Sequence, residues 1–447
     1  MKRTDVLVIG GSAAGIVTAV TAKSNYPEKD VLLVRKEQQV LVPCGIPYVF
    51  GSLDSVEKNI IPDAVLSKAG VDLIVSEAME VNQNEKTCLL QDGTVVSFEK
   101  LVFATGSSPS VPKWLKGADL ENVFVIPKNK KYIAEVLNKI ERFKKIITVG
   151  AGFIGVEVSD ELNKCGKDVT LVEILPNILG LAFDKELAVR AEDLLQERGV
   201  HLKTNSGVKE IVGDTKVSGI LLNNEETIEA EAVILSMGYR PNTALAEKSG
   251  LAVTDWGFIV VDEYMRTQNS DIFAVGDCAE KRDFITRKQN SIMLASTACA
   301  EARVAGMNLY KLSTLKTLSG TIAIFSTAIG GTGFGAAGLT EDMAKKEGFD
   351  VVTGTFEGVD RHPGSLPDTH KQVIKLIVAR ESGVILGGEV MGGLSVGELT
   401  NLIGLVIQNQ MSINSILTAQ IGTHPLLTGP PTAYPLIKAA EVVAKSL

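Results

Sequence analysis

Two stretches of this chain repeat one pattern of apolar and small residues. Asp5-Val6-Leu7-Val8-Ile9 is a nearly unbroken apolar run, Gly10-Gly11-Ser12-Ala13-Ala14-Gly15 is a glycine-rich turn, and Ile16 to Ser24 is a small-residue helical stretch. The run Ile146-Ile147-Thr148-Val149, the turn Gly150-Ala151-Gly152-Phe153-Ile154-Gly155, a helix from about Val156 to Cys165 and a strand from Asp168 to Glu173 follow the same order. Short apolar runs without alternation read as strands buried on both faces, so each copy predicts a β-α-β unit of a parallel sheet. Beyond residue 320 the pattern changes. Strand patterns at Thr321 to Ser326, Val351 to Phe356 and Gln372 to Ala379 are mixed with helical ones at Thr340 to Glu347 and Val396 to Gln408, an α+β arrangement.

The 447 residues suffice for about three domains, each with its own core. A net charge of -8 without a basic block argues against nucleic acid or an anionic membrane as the main partner. The N-terminus carries no signal-peptide pattern and no apolar window approaches membrane-spanning length, so a cytoplasmic protein is expected. Five cysteines (Cys44, Cys88, Cys165, Cys278, Cys299) show neither a CxxC pair nor metal spacing, so no metal site and no disulfide scaffold are expected.

A lone GxGxxG carries little weight. Two such turns, each between a strand and a helix, point to nucleotides, because the glycines let backbone approach a pyrophosphate seated on the helix N-terminus. In the second copy Glu173 ends its strand about twenty residues past the glycines, where a carboxylate accepts from a ribose diol and repels a 2′-phosphate. NADH is therefore expected over NADPH. In the first copy Ser12 replaces the middle glycine, and the strand Val31 to Val34 runs into Arg35-Lys36-Glu37. Either Glu37 reaches a ribose or Arg35 meets the adenylate end through charge or stacking.

Cys44, in Val42-Pro43-Cys44-Gly45-Ile46-Pro47-Tyr48, is the candidate nucleophile. With Pro47 in a first helical turn, the sulfur reads as capping a short helix, whose N-terminal N–H groups favour a thiolate. The plain alternative is a buried structural cysteine.

The first turn, then Ala104-Thr105-Gly106, the second turn, Met237-Gly238-Tyr239-Arg240-Pro241-Asn242 and Val275-Gly276-Asp277 together resemble the two-dinucleotide flavoprotein disulfide reductases. The resemblance implies an α/β protein with two Rossmann-like dinucleotide-binding domains, for FAD and NADH, plus an α+β C-terminal dimerisation domain. It implies a discontinuous FAD domain over 1–112 and 245–320, an NADH domain over 113–244 and a dimerisation domain over 321–447. Gly10, Ser12, Ala13, Ala14, Gly15, Ala104, Thr105, Gly106, Gly238, Gly276 and Asp277 fall where such proteins meet their nucleotides, Asp277 on the ribityl chain. Phe153 resembles the aromatic gate over the nicotinamide site, a plain core aromatic being the other reading. Gly150, Gly152, Ile154 and Gly155 complete the NADH turn, and Glu157 is placed to position the carboxamide.

Members such as glutathione reductase carry CxxxxC, whereas Gly45 to Phe50 holds no second cysteine. The chain therefore resembles the single-cysteine branch: coenzyme A disulfide reductases, sulfur or persulfide reductases, NADH oxidases and NADH peroxidases. Ala13 stands where the peroxidases and many oxidases place a histidine, which counts against peroxidase chemistry. Coenzyme A disulfide reductases carry basic residues on the first helix for the coenzyme A phosphates, and here Lys23 stands alone. The tyrosines they use from the dimerisation domain have no counterpart around His362-Pro363-Gly364. A homodimer is implied, and His424 falls near the segment that approaches the partner's cysteine, either as a proton shuttle or as a loop histidine satisfied by backbone. The expected activity passes electrons from NADH through FAD to Cys44 and a small-molecule disulfide, persulfide or polysulfide. The alternatives are an NADH oxidase reducing oxygen and a slow-turnover flavin redox sensor.

Overall fold

Val6–Ile9, buried at all four positions, is the central strand of a five-stranded parallel sheet. Its order is Ile272–Ala274, Lys100–Phe103, Val6–Ile9, Val31–Arg35, Asp72–Val75. The computed structural model that supplies this description covers residues 1–314 and 320–447; residues 315–319, at the end of the expected 245–320 segment, lie outside the described residues. Strand Ile272–Ala274 pairs with Leu101 to Phe103, so the chain returns to its first sheet after building a second one. That second sheet is again five-stranded and parallel, in the order Val123–Val125, Ala232–Leu235, Lys145–Val149, Asp168–Val172, His201–Lys203. Ser107–Pro109 and Tyr239–Pro241, the two passages between the units, lie side by side as an antiparallel pair.

Both β-α-β units form where the apolar pattern places them. Helix Ala13–Asn25 begins three residues before the expected Ile16, and helix Phe153–Lys164 three before Val156. The last residues of each glycine turn already take helical geometry, which aims their N–H groups at the space before the helix. Helix Ala13–Asn25 packs along helix Ala295–Met307, and Gly306 lies against Thr21.

The C-terminal part is a five-stranded antiparallel sheet, in the order Phe325–Ile329, Thr332–Gly338, Ile385–Gly392, Lys371–Ala379, Val351–Val359. Helix Val396–Gln408 packs on three of its strands and helix Pro435–Ala444 on Val351–Val359 and Lys371–Ala379. The first strand starts at Phe325, not at the expected Thr321. Thr321 exchanges backbone hydrogen bonds with Arg282 (2.7 Å) and Phe284 (2.9 Å) and its hydroxyl meets Thr297, which draws residues 321–324 toward the first unit. The architecture is α/β, with two Rossmann-like units and a C-terminal α+β domain. Among the described residues no helix is long and apolar enough to cross a membrane, and no group of His, Cys, Asp and Glu is arranged to hold a metal ion.

Candidate active site

The first glycine turn opens on a cavity of about 720 Å³ lined by Gly10, Ser12, Glu37, Thr105, Lys128 and Asn242 among others. Gly10 has φ +117°, and a Cβ there would meet the Ala104 carbonyl oxygen at 2.1 Å. Glycine is thus required both by conformation and by the neighbouring strand. Ser12 caps helix Ala13–Asn25 with extended backbone and makes no side-chain cap bond, while Ala13, Ala14 and Gly15 form the first helical turn. Thr105 donates to the Asn242 carbonyl (2.6 Å), and the Asn242 amide donates back to the Thr105 carbonyl (3.0 Å). The segments Ala104-Thr105-Gly106 and Gly238 to Asn242 are thereby locked together on one wall.

Arg35 does not face a ligand as a free cation. Its guanidinium forms a bidentate pair with Asp63 (2.7 and 2.8 Å) and donates to the carbonyls of Glu37 and Gln38, while its stem lies where a Gly11 Cβ would go. Arg35 is 2% exposed. It holds the loop that presents Glu37, and Glu37 is left half-buried at the cavity wall.

Asp277 follows Gly276 at the end of strand Ile272–Ala274. It accepts from Ser107 Oγ and Lys128 Nζ, both at 2.7 Å. Burial alone would push its carboxyl up, but Lys128 and Ser107 hold it below the usual carboxylate range. Lys128, whose Nζ also lies 5.8 Å from the Tyr239 ring centroid, is a site residue that motif reading missed. It sits in the run Pro127-Lys128-Asn129-Lys130-Lys131, which carries no spacing signal.

Cys44 is exposed and unpaired in a short 3-10 turn, Pro43–Gly45, followed by a second, Pro47–Phe50. The expectation of a sulfur capping a short helix, and so of a thiol made more acidic, is not met, because Cys44 lies inside the first 3-10 turn. A single 3-10 turn aligns few peptide dipoles. Burial pushes the thiol up, the Glu157 carboxylate adds to this, and Lys128 opposes it. The redox segment is fastened from its far end, where Glu161 accepts from both Ser52 N–H and Ser52 Oγ, the latter at 2.9 Å.

At the second turn Gly150 has φ +96° and Gly155 lies so close that a Cβ would meet the Gly150 carbonyl oxygen at 1.9 Å. Gly152, the N-cap of helix Phe153–Lys164, is exposed and has nothing within 4 Å of its Cβ position, while Phe153 and Ile154 are half-buried against the core. Glu173 turns inward. Its two oxygens accept from the N–H groups of Ala151 (2.6 Å) and Leu175 (2.8 Å), so it braces the turn. Phe153 stacks on Phe325 with centroids 5.0 Å apart, which joins the NADH-side helix to the C-terminal sheet. Glu157 accepts from Thr327 Oγ at 2.8 Å; burial pushes its carboxyl up to about 7, Thr327 working against this and Glu161 adding to it.

His424 lies apart from these groups. It is exposed on a C-terminal loop, its Nδ1 accepts from the Leu426 N–H (3.2 Å), and its own N–H bonds to Thr428 Oγ. His362 joins the same loop through the Thr428 carbonyl, 3.0 Å from its Nδ1. Within one chain Glu157, Lys128 and Asp277 lie within electrostatic reach of Cys44, while His424 bonds within its own loop.

The residues fit two dinucleotides. One glycine turn opens on a cavity of about 720 Å³ with the half-buried Asp277 carboxylate on its Ser107 and Lys128 wall, and the other leaves its helix N-cap, Gly152, exposed. Comparison with known proteins agrees. The model for pyridine nucleotide-disulphide oxidoreductases matches residues 4–302, and the model for the dimerisation domain of those proteins matches residues 324–433. An NADH oxidase from Enterococcus faecalis is 31% identical over 94% of this chain and 95% of its own. An NAD(P)H coenzyme A polysulfide/persulfide reductase from Pyrococcus horikoshii is 32% identical over 87% of each chain. The solved NAD-dependent persulfide reductase from A. fulgidus superposes with a TM-score of 0.91 at 28% identity, covering 99% of this chain and 83% of that one.

Proposed function

We propose that this chain, which belongs to the pyridine nucleotide-disulphide oxidoreductase family, is an NADH-dependent flavoprotein reductase of small sulfur compounds that works through Cys44. The observation that carries the reading is the exposed, unpaired thiol of Cys44 in a segment clamped to helix Phe153–Lys164 through Ser52 and Glu161. The kinship with a polysulfide/persulfide reductase supports it. We assign residues 1–112 and 245–320 to FAD, 113–244 to NADH and 321–447 to dimerisation, and read the protein as a cytoplasmic homodimer.

FAD, when bound, supplies the two-electron chemistry that links NADH oxidation to sulfur reduction. Gly10 to Gly15 and Gly150 to Gly155 receive the two pyrophosphates on helix N-termini. Asp277 and Glu37 accept from FAD hydroxyls, and Lys128 keeps Asp277 ionised so that it acts only as acceptor. Glu173 fixes the NADH turn and presents negative charge where a 2′-phosphate would lie, which favours NADH. Cys44 Sγ, as thiolate, attacks one sulfur of the substrate, displaces the other as a thiolate that takes a proton, and holds the first as a mixed disulfide. A thiol raised by burial makes this attack faster as pH rises.

Substrate size follows from Lys23. Its Nζ donates to the carbonyls of Pro27 (3.0 Å) and Lys29 (2.8 Å), so the one cation of the first helix is spent closing that helix. A persulfide, polysulfide or small disulfide suits this site better than coenzyme A disulfide. Kinship with an NADH oxidase at 31% identity keeps oxygen as the second acceptor to be tested. Cys44→Ser separates the two. It should abolish NADH oxidation driven by a sulfur substrate while FAD content stays unchanged, and full sulfur-dependent turnover in that variant would sink the assignment.

A further inference from the structure

Beneath the Gly276-Asp277 turn lies an ion pair that no motif announces. Lys281 is 1% exposed at its side chain and Glu301 9%, and their charged atoms stand 3.1 Å apart. Both grip one residue. Glu301 Oε2 accepts the Gly276 N–H at 2.9 Å, while Lys281 Nζ donates to the Gly276 carbonyl at 2.6 Å and to the Ala279 carbonyl at 2.8 Å. Gly276 has φ +75°, and a Cβ there would meet the Ala14 methyl at 2.8 Å, so this peptide also abuts the first turn of the phosphate-binding helix.

Burying a lysine and a glutamate costs more than an apolar pair of the same volume, so stability does not account for the arrangement. What the pair does is fix both backbone hydrogen-bonding groups of Gly276, the residue immediately before Asp277. We propose that Lys281 and Glu301 are positioning residues for FAD, holding Gly276 so that Asp277 is aimed before the cofactor arrives. The proposal rests on the reading of the chain as an FAD protein. It deepens that reading by adding a supporting layer from strand Lys281–Arg282 and helix Ala295–Met307. Support of this kind turns a carboxylate into a selective acceptor, because a loosely held side chain loses freedom on binding.

The test is FAD affinity, read by flavin fluorescence on titrating apoprotein made from the purified holoenzyme, for the wild type and for Lys281→Met/Glu301→Leu, each with and without Asp277→Asn. Melting of the apoproteins is followed in parallel. The proposal expects the apolar pair to weaken FAD binding about tenfold or more with Asp277 present, and less than about twofold in the Asp277→Asn background, because the pair acts through Asp277. The apolar pair also takes the Glu301 acceptor from the Gly276 N–H and the Lys281 donor from the Gly276 and Ala279 carbonyls, so its apoprotein melts below the wild type, and by the same amount in both Asp277 backgrounds. Wild-type affinity in the apolar pair, or the same loss in both backgrounds, overturns the proposal. If the apolar pair does not fold, Lys281→Met alone, which removes the donor to the Gly276 carbonyl and leaves Glu301 to accept the Gly276 N–H, is taken through the same cycle under the same criteria. A wild-type chain that binds no FAD would refute the flavoprotein reading itself, a result distinguishable from any of these.

Discussion

Glu157 shows how much of the site's behaviour rests on single side chains. Its carboxyl, raised to about 7 by burial, is half-protonated near neutrality. An ionised carboxylate accepts from a carboxamide N–H more strongly than a neutral acid does. Protonation is complete well below pH 7, so kcat/KM for NADH should rise with pH through about 7 and level off above it. In Glu157→Gln that rise should vanish; a profile unchanged from wild type would remove Glu157 from the NADH site. Arg35 illustrates the opposite case, a charged residue whose position suggests ligand binding and whose partners show structural work. With Asp63 and two carbonyls on its guanidinium, it contributes the shape of the FAD cavity and not its charge.

At the scale of elements, helix Phe153–Lys164 is the connector. Glu157 reaches the C-terminal sheet at Thr327, Asp160 pairs with Arg198 at 2.6 Å, and Glu161 holds Ser52 beyond the Cys44 turns. Glu161 and Asp160 are buried, and all three acids bond outside the second unit, Asp160 by also accepting from the Gly330 N–H at 3.4 Å. Removing Glu161 leaves the Ser52 N–H and hydroxyl without their acceptor, a loss of about 1–3 kcal/mol. Glu161→Ala should therefore accelerate amide exchange over residues 47–53 at least tenfold while exchange in the parallel sheets is unchanged. Uniform acceleration across the chain would mean global destabilisation instead. None of this fastening was legible in the sequence. The glycine turns were, because φ +117° at Gly10 and the 1.9 Å approach at Gly155 leave a local composition mark that no other residue satisfies. Asp277 was legible only through the family resemblance of the segment that ends in Val275-Gly276-Asp277. Lys128, Ser107, Asp63 and the Lys281–Glu301 pair act across gaps of twenty residues or more, and nothing in their immediate neighbours records the partner. The Cys44 turn was misjudged because Pro43 and Pro47 mark helical starts without fixing whether a 3-10 turn or a longer helix follows.

Across the whole molecule, the second unit and the C-terminal domain meet at a buried charge cluster. Lys375 pairs with Asp184 and Glu341, both at 2.9 Å, and more weakly with Glu186. Glu389 accepts the Asp184 N–H through one oxygen, while its other oxygen has no partner among the described residues. Burial, with Asp184 adding to it, pushes the Glu389 carboxyl up to about 8, so the folded protein keeps a proton that the unfolded chain releases near pH 4.5. Stability should fall as pH rises from about 4.5 to 8, by a few kcal/mol in order of magnitude, and then level off. Glu389→Gln should flatten this decline in denaturant melts between pH 5 and 9, and an unchanged slope would show that the carboxyl is ionised in the fold. The central claim, that electrons from NADH leave this protein through Cys44 to sulfur, is tested most directly by anaerobic NADH consumption after adding a persulfide or a small disulfide to the purified holoprotein. Rapid consumption by the wild type and none by Cys44→Ser is the predicted result. NADH that stays unconsumed with the sulfur compound present, and is oxidised only once air is admitted, would contradict it.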